Sequence, residues 1–337
     1  MKTKMSIPQR IWAYVKGNPI IVMMALVSLV VGCTIKNFFS LNNFNVLMGN
    51  TTIRFLIALG VSGCLITKGT DLSAGRQAAL AATLTAVMVQ RVDYSGRLFT
   101  WLPELNMWVV LLIVLVIGAL IGLLTGTIIA HLKVPPFITT LGIQTIVYGI
   151  NLIYTNAQPI GSFQQPFKDF FNWKVLAFGD FKGFSGYILF AVLFGVLFWF
   201  LYNKTTHGKY MYAIGGNENA AEVSGVNVKM KLMQIYMIAG AMYAFAGFLM
   251  TGKSGGASAS MGVSYELEAI AGCTIGGVST TGGIGTVGGI LVGVLVFELL
   301  KIIMQFIGVD PNYNYIVQGL VVITAVAMDI RKYVAKK

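Results

Sequence analysis

The residues most able to act on a solute stand in polar breaks within an otherwise apolar chain. The first break runs Thr67-Lys-Gly-Thr-Asp71-Leu-Ser73-Ala-Gly-Arg76-Gln77 and brings a carboxylate, a hydroxyl, a guanidinium and an amide close to hydrocarbon depth. Ionisable groups there are costly unless paired or facing water, so Asp71 and Arg76 mark either a solute path or an ion pair that satisfies broken helix ends. A second set, Thr139, Thr140, Gln144, Tyr148 and Asn151, recurs at helical spacing along one apolar segment. Such hydroxyls and amides suit a hydroxyl-rich solute, and they equally bond one helix to another. None of these groups completes a catalytic set. His131 and His207 are the only histidines, with no neighbouring cysteine or carboxylate cluster, so neither metal catalysis nor a nucleophilic triad has enough parts. Gly247-Phe-Leu-Met-Thr-Gly252-Lys253-Ser254 formally matches a phosphate-binding loop. A working loop of that kind leaves a strand and opens a helix. Here the match ends an apolar segment and carries Phe, Leu and Met at its variable positions, so it is read as chance.

Two further stretches shape the elements. Within Tyr212–Asn227, Asn217 is a good helix N-cap, Glu218 and Glu222 suit the first turns, Ala220 and Ala221 favour helix, and Gly225 can take the left-handed closing conformation. That predicts a short helix on a solvated loop, which serves as a connector or as a docking element. The glycine-rich run from Gly272 to Gly293 contains Gly276, Gly277, Gly282 and Gly283, and then Gly285, Gly289 and Gly293 one turn apart. The stripe allows close helix packing, with a permeation hinge as the other reading.

The elements that must hold these residues are membrane helices. The 337 residues are 56% hydrophobic and 11% charged, with 39 glycines and a mean hydropathy of +0.76, which no soluble domain matches. A spanning helix needs about 20 mostly apolar residues. Ten segments qualify, centred near Ile20–Ile35, Ile53–Lys68, Leu72–Gln90, Trp108–Ala130, Phe137–Thr155, Tyr187–Tyr202, Leu232–Met250, Leu267–Val278, Val287–Ile307 and Tyr315–Met328, the eighth short and broken by glycine. The fold class is therefore all-α, a polytopic membrane bundle of about ten transmembrane helices, since the runs are too long for barrel strands and lack their alternation.

Lys2, Lys4, Arg10 and Lys16 precede the first span, Lys204, Lys209, Lys229 and Lys231 flank the capped loop, and Arg331, Lys332, Lys336 and Lys337 end the chain. The positive-inside rule puts all three regions in the cytosol. Residues 1–17 and 331–337 become cytosolic tails around a membrane domain over 18–330, whose loop 203–231 is also cytosolic. Lys168, Lys174 and Lys182 in the outer loop, partly offset by Asp169 and Asp180, weaken the bias without reversing it. The formal charge of +12 thus anchors the chain in lipid and calls for no nucleic-acid partner. The first apolar run lacks a small-residue cleavage site, so the first span is expected to remain in the mature protein. Cys33, Cys64 and Cys273 read as packing residues.

Gly69-Thr-Asp-Leu-Ser73, Pro136-Phe-Ile-Thr-Thr-Leu-Gly142, Ala213-Ile214-Gly215-Gly216-Asn217, Ala220-Ala221, Val223-Ser-Gly-Val-Asn227 and the pairs Gly276-Gly277 and Gly282-Gly283 together carry a resemblance. Over essentially its whole length the chain resembles the branched-chain-amino-acid and ribose-type group of bacterial ABC-importer permeases. Gly69-Thr-Asp-Leu-Ser-Ala-Gly-Arg-Gln77 and the loop from His207 to Asn227 are more similar to its galactose/methyl galactoside members than to its ribose members. Glu218 departs from the group, where many members start this helix with proline, which puts only the helix boundary in doubt. The resemblance implies an inner-membrane sugar permease that works as two copies, with a twin-cassette ATPase below and a periplasmic sugar-binding protein outside. It implies no cofactor on this chain, with ATP consumed by the partner. Residues 213 to 225, Glu218 and Glu222 included, become the ATPase-coupling element, and Asp71, Ser73, Arg76 and Gln77 join the Thr139–Asn151 stripe as the expected transport path. An ion-coupled secondary transporter is the rival; it needs intramembrane carboxylates, for which Asp71, Glu268 and Glu298 are available, and a dependence on ion gradients separates the two.

Overall fold

The computed structural model describes residues 19–334, so Lys2, Lys4, Arg10, Lys16, Lys336 and Lys337 of the expected tails lie outside the described residues. The described chain is a helical bundle. In order come α1 (Pro19–Thr34), α2 (Leu41–Ile66), α3 (Ala74–Met88), α4 (Met107–Leu132), α5 (Pro136–Thr155), α6 (Gln165–Asn172), α7 (Leu189–Lys204), α8 (Thr206–Gly216), α9 (Glu218–Val223), α10 (Val228–Ser254), α11 (Tyr265–Ile275), α12 (Val287–Ile307) and α13 (Tyr313–Val334). Polar caps set many starts: Ser40 for α2, Asn106 for α4, Asn227 for α10 and Thr286 for α12 each accept a backbone N–H through the side chain. Among the described residues six helices are long and apolar enough to cross a membrane: α2, α4, α5, α7 with its leading 3₁₀ turn, α10 and α12. α1 and α13 are apolar over shorter stretches. α3 has 15 residues and α11 has 11, well short of a full crossing.

The bundle is built around α10, which packs most extensively against α4, α3 and α2 and buries Tyr236, Tyr243 and Phe248 completely. Its contact with α4 is backbone to backbone. A Cβ on Gly118 would lie 2.4 Å from the Gly240 carbonyl oxygen, and one on Gly122 would lie 2.1 Å from that of Tyr236. In lipid, where apolar surface gains little from helix contact, such small-residue seams let dispersion and close approach hold helices together. The opposite face of α4 presents Leu112, Val116, Leu120 and Leu124, each half exposed or more, as a surface for acyl chains.

α11 and α12 are joined the same way. A Cβ on Gly276 would meet the Gly289 carbonyl at 2.2 Å, and one on Gly293 the Gly272 carbonyl at 1.9 Å. The expected stripe is shorter than its spacing suggested, because α12 begins at Val287 and leaves Gly285 in the preceding loop, against Ile66 and Val278. Gly277 is not a packing residue either: it has φ +85° and no atom within 4 Å of an added Cβ, so it serves the turn after α11.

The expected outer loop is more ordered than its composition indicated. Phe167 and Phe171 on α6 stand one turn apart and bury themselves against Phe248, with ring centroids 5.5 and 5.8 Å away. Two short antiparallel strands follow, β1 (Lys174–Val175) and β2 (Phe184–Ser185), so the all-α expectation gains one small hairpin. The hairpin is tied down by the Ser185 N–H donating to Asn45 Oδ1 at 2.9 Å. This end of the bundle also holds the Ile160–Ala257 bridge, and α8 and α9 occupy the other end.

Candidate functional site

The polar break between α2 and α3 is a hydrogen-bonded turn. α2 ends with the Gly69 N–H on the Cys64 carbonyl at 2.8 Å and Lys68 in the left-handed region at φ 64°. Asp71 is 1% exposed and takes over the capping of α3: its Oδ1 accepts from the Ser73 N–H at 2.9 Å and from Ser73 Oγ at 2.5 Å, and its Oδ2 accepts from the Tyr243 hydroxyl at 3.0 Å. Gln77 Nε2 donates to Ser73 Oγ at 2.8 Å. Three of the four expected path residues of this break thus form one network that closes a helix end.

Arg76, the fourth, stacks over Tyr148 with 4.0 Å from its guanidinium carbon to the ring centre, and its Nη1 donates to the Ala259 carbonyl at 3.2 Å. This cation–π pair joins the two polar sets that the sequence kept apart. The rest of the α5 stripe is divided. Thr140 donates to the Thr70 carbonyl at 3.1 Å and Thr83 donates to Asn151 Oδ1 at 2.7 Å, so both ends bond α5 to its neighbours. Thr139 is buried and bonds its own helix at Pro135, whereas Gln144 and Tyr148 are half-buried.

In the stretch expected to couple to an ATPase, Asn217 Oδ1 accepts from the Ala220 N–H at 3.0 Å and caps α9. Gly225 has φ +87°, its N–H donates to Glu222, and the Val226 N–H reaches back to the Ala221 carbonyl at 3.1 Å, closing α9 with a left-handed glycine. Ala213, Gly216, Asn217, Glu218, Ala220, Glu222 and Gly225 are exposed, while Ile214, Gly215 and Ala221 turn inward. Two features here escaped the sequence reading. α8 is a separate helix, capped by Thr205, where a loop was expected. Val223 is 90% exposed beside Glu222, an apolar side chain offered to solvent on an otherwise polar helix.

α8 is stitched to the bundle. Lys68 Nζ donates to the Gly216 carbonyl at 3.3 Å and the Tyr212 hydroxyl to the Gly285 carbonyl at 2.8 Å, and beside them the Gly283 N–H donates to the Ile66 carbonyl at 2.8 Å, tying the loop before α12 to the end of α2. A Cβ on Gly215 would lie 1.8 Å from the Ile66 oxygen, so the helix meets the end of α2 through bare backbone. Burial and then the nearby Lys231 push the His207 pKa below its ordinary value. A cavity of about 230 Å³, lined in part by Lys68, Gly69, Lys133, Glu218 and Tyr236, lies between the break and α9. Lys133 approaches Glu218 across it at 3.4 Å, an exposed pair of small energetic weight.

A charged cluster was only half visible in the sequence. Glu268 and Glu298 each pair with both Arg54 and Lys301: Arg54 Nε is 2.6 Å from Glu268 and also binds Glu298, and Lys301 Nζ is 2.7 Å from each carboxylate. Neither glutamate is an uncompensated carboxylate of the kind an ion-coupled carrier uses. The formal phosphate loop is the continuous C-terminal end of α10, with no loop to cradle an anion.

Comparison with known proteins gives the family. The family described as branched-chain amino acid transport system / permease component matches residues 43–326. The chain is 45% identical over 328 residues to the galactose/methyl galactoside import permease protein of Escherichia coli strain K12, covering 96% of this chain and 97% of that one. It is 44% identical over 325 residues to the Haemophilus influenzae protein of the same name, covering 96% of each. The ribose import permease protein of Escherichia coli strain K12 is more distant, 31% identical over 316 residues and 93% of each chain. No solved structure matches. The chain, a helical bundle that matches permeases along nearly all its length, belongs to the branched-chain amino acid transport system permease family.

Proposed function

We propose that this chain is the membrane permease of an ATP-driven importer in the bacterial inner membrane, taking up galactose and methyl galactoside, the solutes in the names of its 44–45% identical relatives. It is a transport subunit and not an enzyme; an ATP-binding subunit on the cytosolic side and a periplasmic sugar-binding protein complete the system. The finer reading is a pair of permease chains over a twin-cassette ATPase, with ten crossings per chain, both termini and residues 203–231 in the cytosol, and no cofactor bound here because the partner consumes the ATP. α3 and α11 count among those crossings as half-length helices buried by their neighbours, an arrangement that irregular backbone tolerates when protein surrounds it.

The observation that carries the reading is the α8–α9 pair. α9 offers Val223 and the Glu218–Glu222 face to a partner, and α8 fixes that face by hydrogen bonds with Lys68 and Gly285 and by the close approach of Gly215 to the Ile66 carbonyl. Closure of the ATPase pushes α9, and α8 passes the displacement to the end of α2. The neighbouring Lys68–Asp71 turn moves with it, and so do the Arg76–Tyr148 pair and the half-buried Gln144 beyond. Coupling of this kind needs one two-state element that both sites touch, and the α2–α3 break, joined to α8 through Lys68 and to α5 through Arg76, is the element that this reading assigns to the role. Arg76, Gln144 and Tyr148 are the members of the expected path that meet solute, with Asp71, Ser73 and Gln77 holding the turn and Thr139, Thr140 and Asn151 fixing α5. Co-purification tests the reading: the wild-type chain retains the ATP-binding subunit, and Val223→Asp, which burial between partners cannot accommodate, releases it while the permease stays in the membrane. Equal retention by both chains would place the ATPase contact elsewhere.

A further inference from the structure

The outer end of the bundle carries apolar side chains that its own fold leaves uncovered. In the hairpin after α6, Leu176 is 74% exposed, Phe178 56% and Trp173 50%, in the company of Lys174, Asp180 and Lys182. We propose that the tip of this hairpin is seated in the outer phospholipid interface, with Leu176 and Phe178 among the upper acyl chains and Lys168 and Lys182 at the headgroup phosphates. The inference rests on the reading of the bundle as membrane-spanning with residues 203–231 cytosolic, and on nothing about its solute.

The tip is braced by the fold. Phe178 and Phe181 exchange backbone hydrogen bonds at 3.2 and 3.1 Å. Their ring centroids stand 5.5 Å apart, and the series continues from Phe181 to Phe184 at 4.8 Å and from Phe184 to Phe44 of α2 at 5.9 Å. Leu176 takes φ +55°, a conformation that costs a leucine energy, and its side chain is the most exposed of the large apolar groups in the hairpin. A rigid apolar surface of this kind marks a place that something covers.

The surroundings select lipid as the cover. The hairpin leads straight into α7, and Trp173 lies against Gly186 in the leading turn, where a Cβ would be 2.1 Å from the indole. α7 and α4 are the least buried of the six full-length spans, 22% of each, so the hairpin borders a lipid-facing edge and not the buried centre around α10. α6 joins the two edges, because Phe170 stacks on Trp108 at the start of α4 at 5.2 Å and on Phe190 of α7 at 6.3 Å. Aromatic rings beside basic side chains at the end of a span are the composition of a membrane-interface anchor. The lysines of this loop run against the positive-inside rule, and headgroup phosphate gives them a partner. Lys168 and Lys182 are exposed and form no ion pair among the described residues, whereas Lys174 donates to Ser185 Oγ at 2.8 Å.

The test places a nitroxide at Leu176→Cys or at Phe178→Cys in the full chain, with Cys33→Ser, in nanodiscs of phosphatidylcholine or of phosphatidylglycerol. Oxygen collects in lipid and a neutral nickel chelate stays in water, so their relative effects on nitroxide relaxation read depth. Leu120→Cys on the lipid face of α4 and Asn219→Cys on α9 give the two limits. The expected result is oxygen-dominated relaxation at both tip positions, close to that of the Leu120 site and unchanged when the sugar-binding protein is added. The tip sits deeper in phosphatidylglycerol, and Lys168→Gln with Lys182→Gln abolishes that difference; a tip at one depth in both lipids would remove the headgroup contact. Nickel access as free as at the Asn219 site overturns the proposal. So does a tip that is wet alone and shielded only by the binding protein, which makes the hairpin that protein's docking surface, or a tip that both reagents miss because a second permease copy covers it. A wet Leu120 site would instead remove the membrane reading on which the inference stands.

Discussion

Asn217 and Arg54 show how much depends on single side chains. Asn217 supplies the one side-chain cap of α9, so Asn217→Ala costs about 1 kcal/mol of local helix stability. Because the residue is exposed and far from the bundle core, the variant inserts and folds normally, and the loss appears in sugar-stimulated ATP hydrolysis by the reconstituted complex. Unchanged stimulation, with Gly225→Val added to block the closing conformation, would reduce α9 to a connector. Arg54→Ala acts on stability instead. It strips one of two cations from Glu268 and Glu298 and leaves buried charge uncompensated, a loss of about 3–5 kcal/mol that lowers the thermal unfolding midpoint of the detergent-purified protein. At this scale Asn217 and Gly225 were legible because capping is local chemistry. Arg54 and Lys301 were not, because one cation in an apolar run looks the same whether it pairs across three helices or marks a helix end.

Seams of small residues hold the helices at their closest approach. Gly293→Val drives a branched side chain into the Gly272 carbonyl, and overpacking of this kind costs about 1–3 kcal/mol. The expected readout is a lower unfolding midpoint together with faster proteolysis around α11, while the α8–α9 end keeps its affinity for the ATPase; normal stability would mean that the α11–α12 contact is looser than described. The apolar runs located most helices to within a few residues, since length and hydropathy alone identify a span. α2 begins at Leu41, a dozen residues before the apolar run near Ile53, because its first turns bear Asn42, Asn43, Asn45 and Asn50 and are stabilised by the Ser40 cap and by contacts that hydropathy does not see. The Gly118-x₃-Gly122-x₃-Gly126 repeat of α4 was also present in the sequence, yet its partner α10 is more than a hundred residues away, and spacing names no partner. α6 escaped for a similar reason, since Phe167 and Phe171 gain their stability from Phe248 and not from local pattern.

On the scale of the whole molecule, orientation and energy source are the claims to check. With residues 203–231 cytosolic, a cysteine at Asn219 in intact cells stays unlabelled by an impermeant reagent and one at Ser254 is labelled; the reverse pattern would invert the molecule. The charge clusters at both termini predict the same orientation, although those at the N-terminus, with Lys336 and Lys337, lie outside the described residues. The sequence also offered a gradient-driven carrier, and two of its three candidate carboxylates are now in ion pairs while Asp71 caps a helix. The most direct test puts the permease, its ATP-binding subunit and the sugar-binding protein into vesicles and follows labelled galactose. The account predicts uptake that requires ATP and the binding protein, continues after proton and sodium gradients are collapsed, and is lost with Val223→Asp. Uptake by the permease alone, driven by an ion gradient and indifferent to ATP, would contradict it.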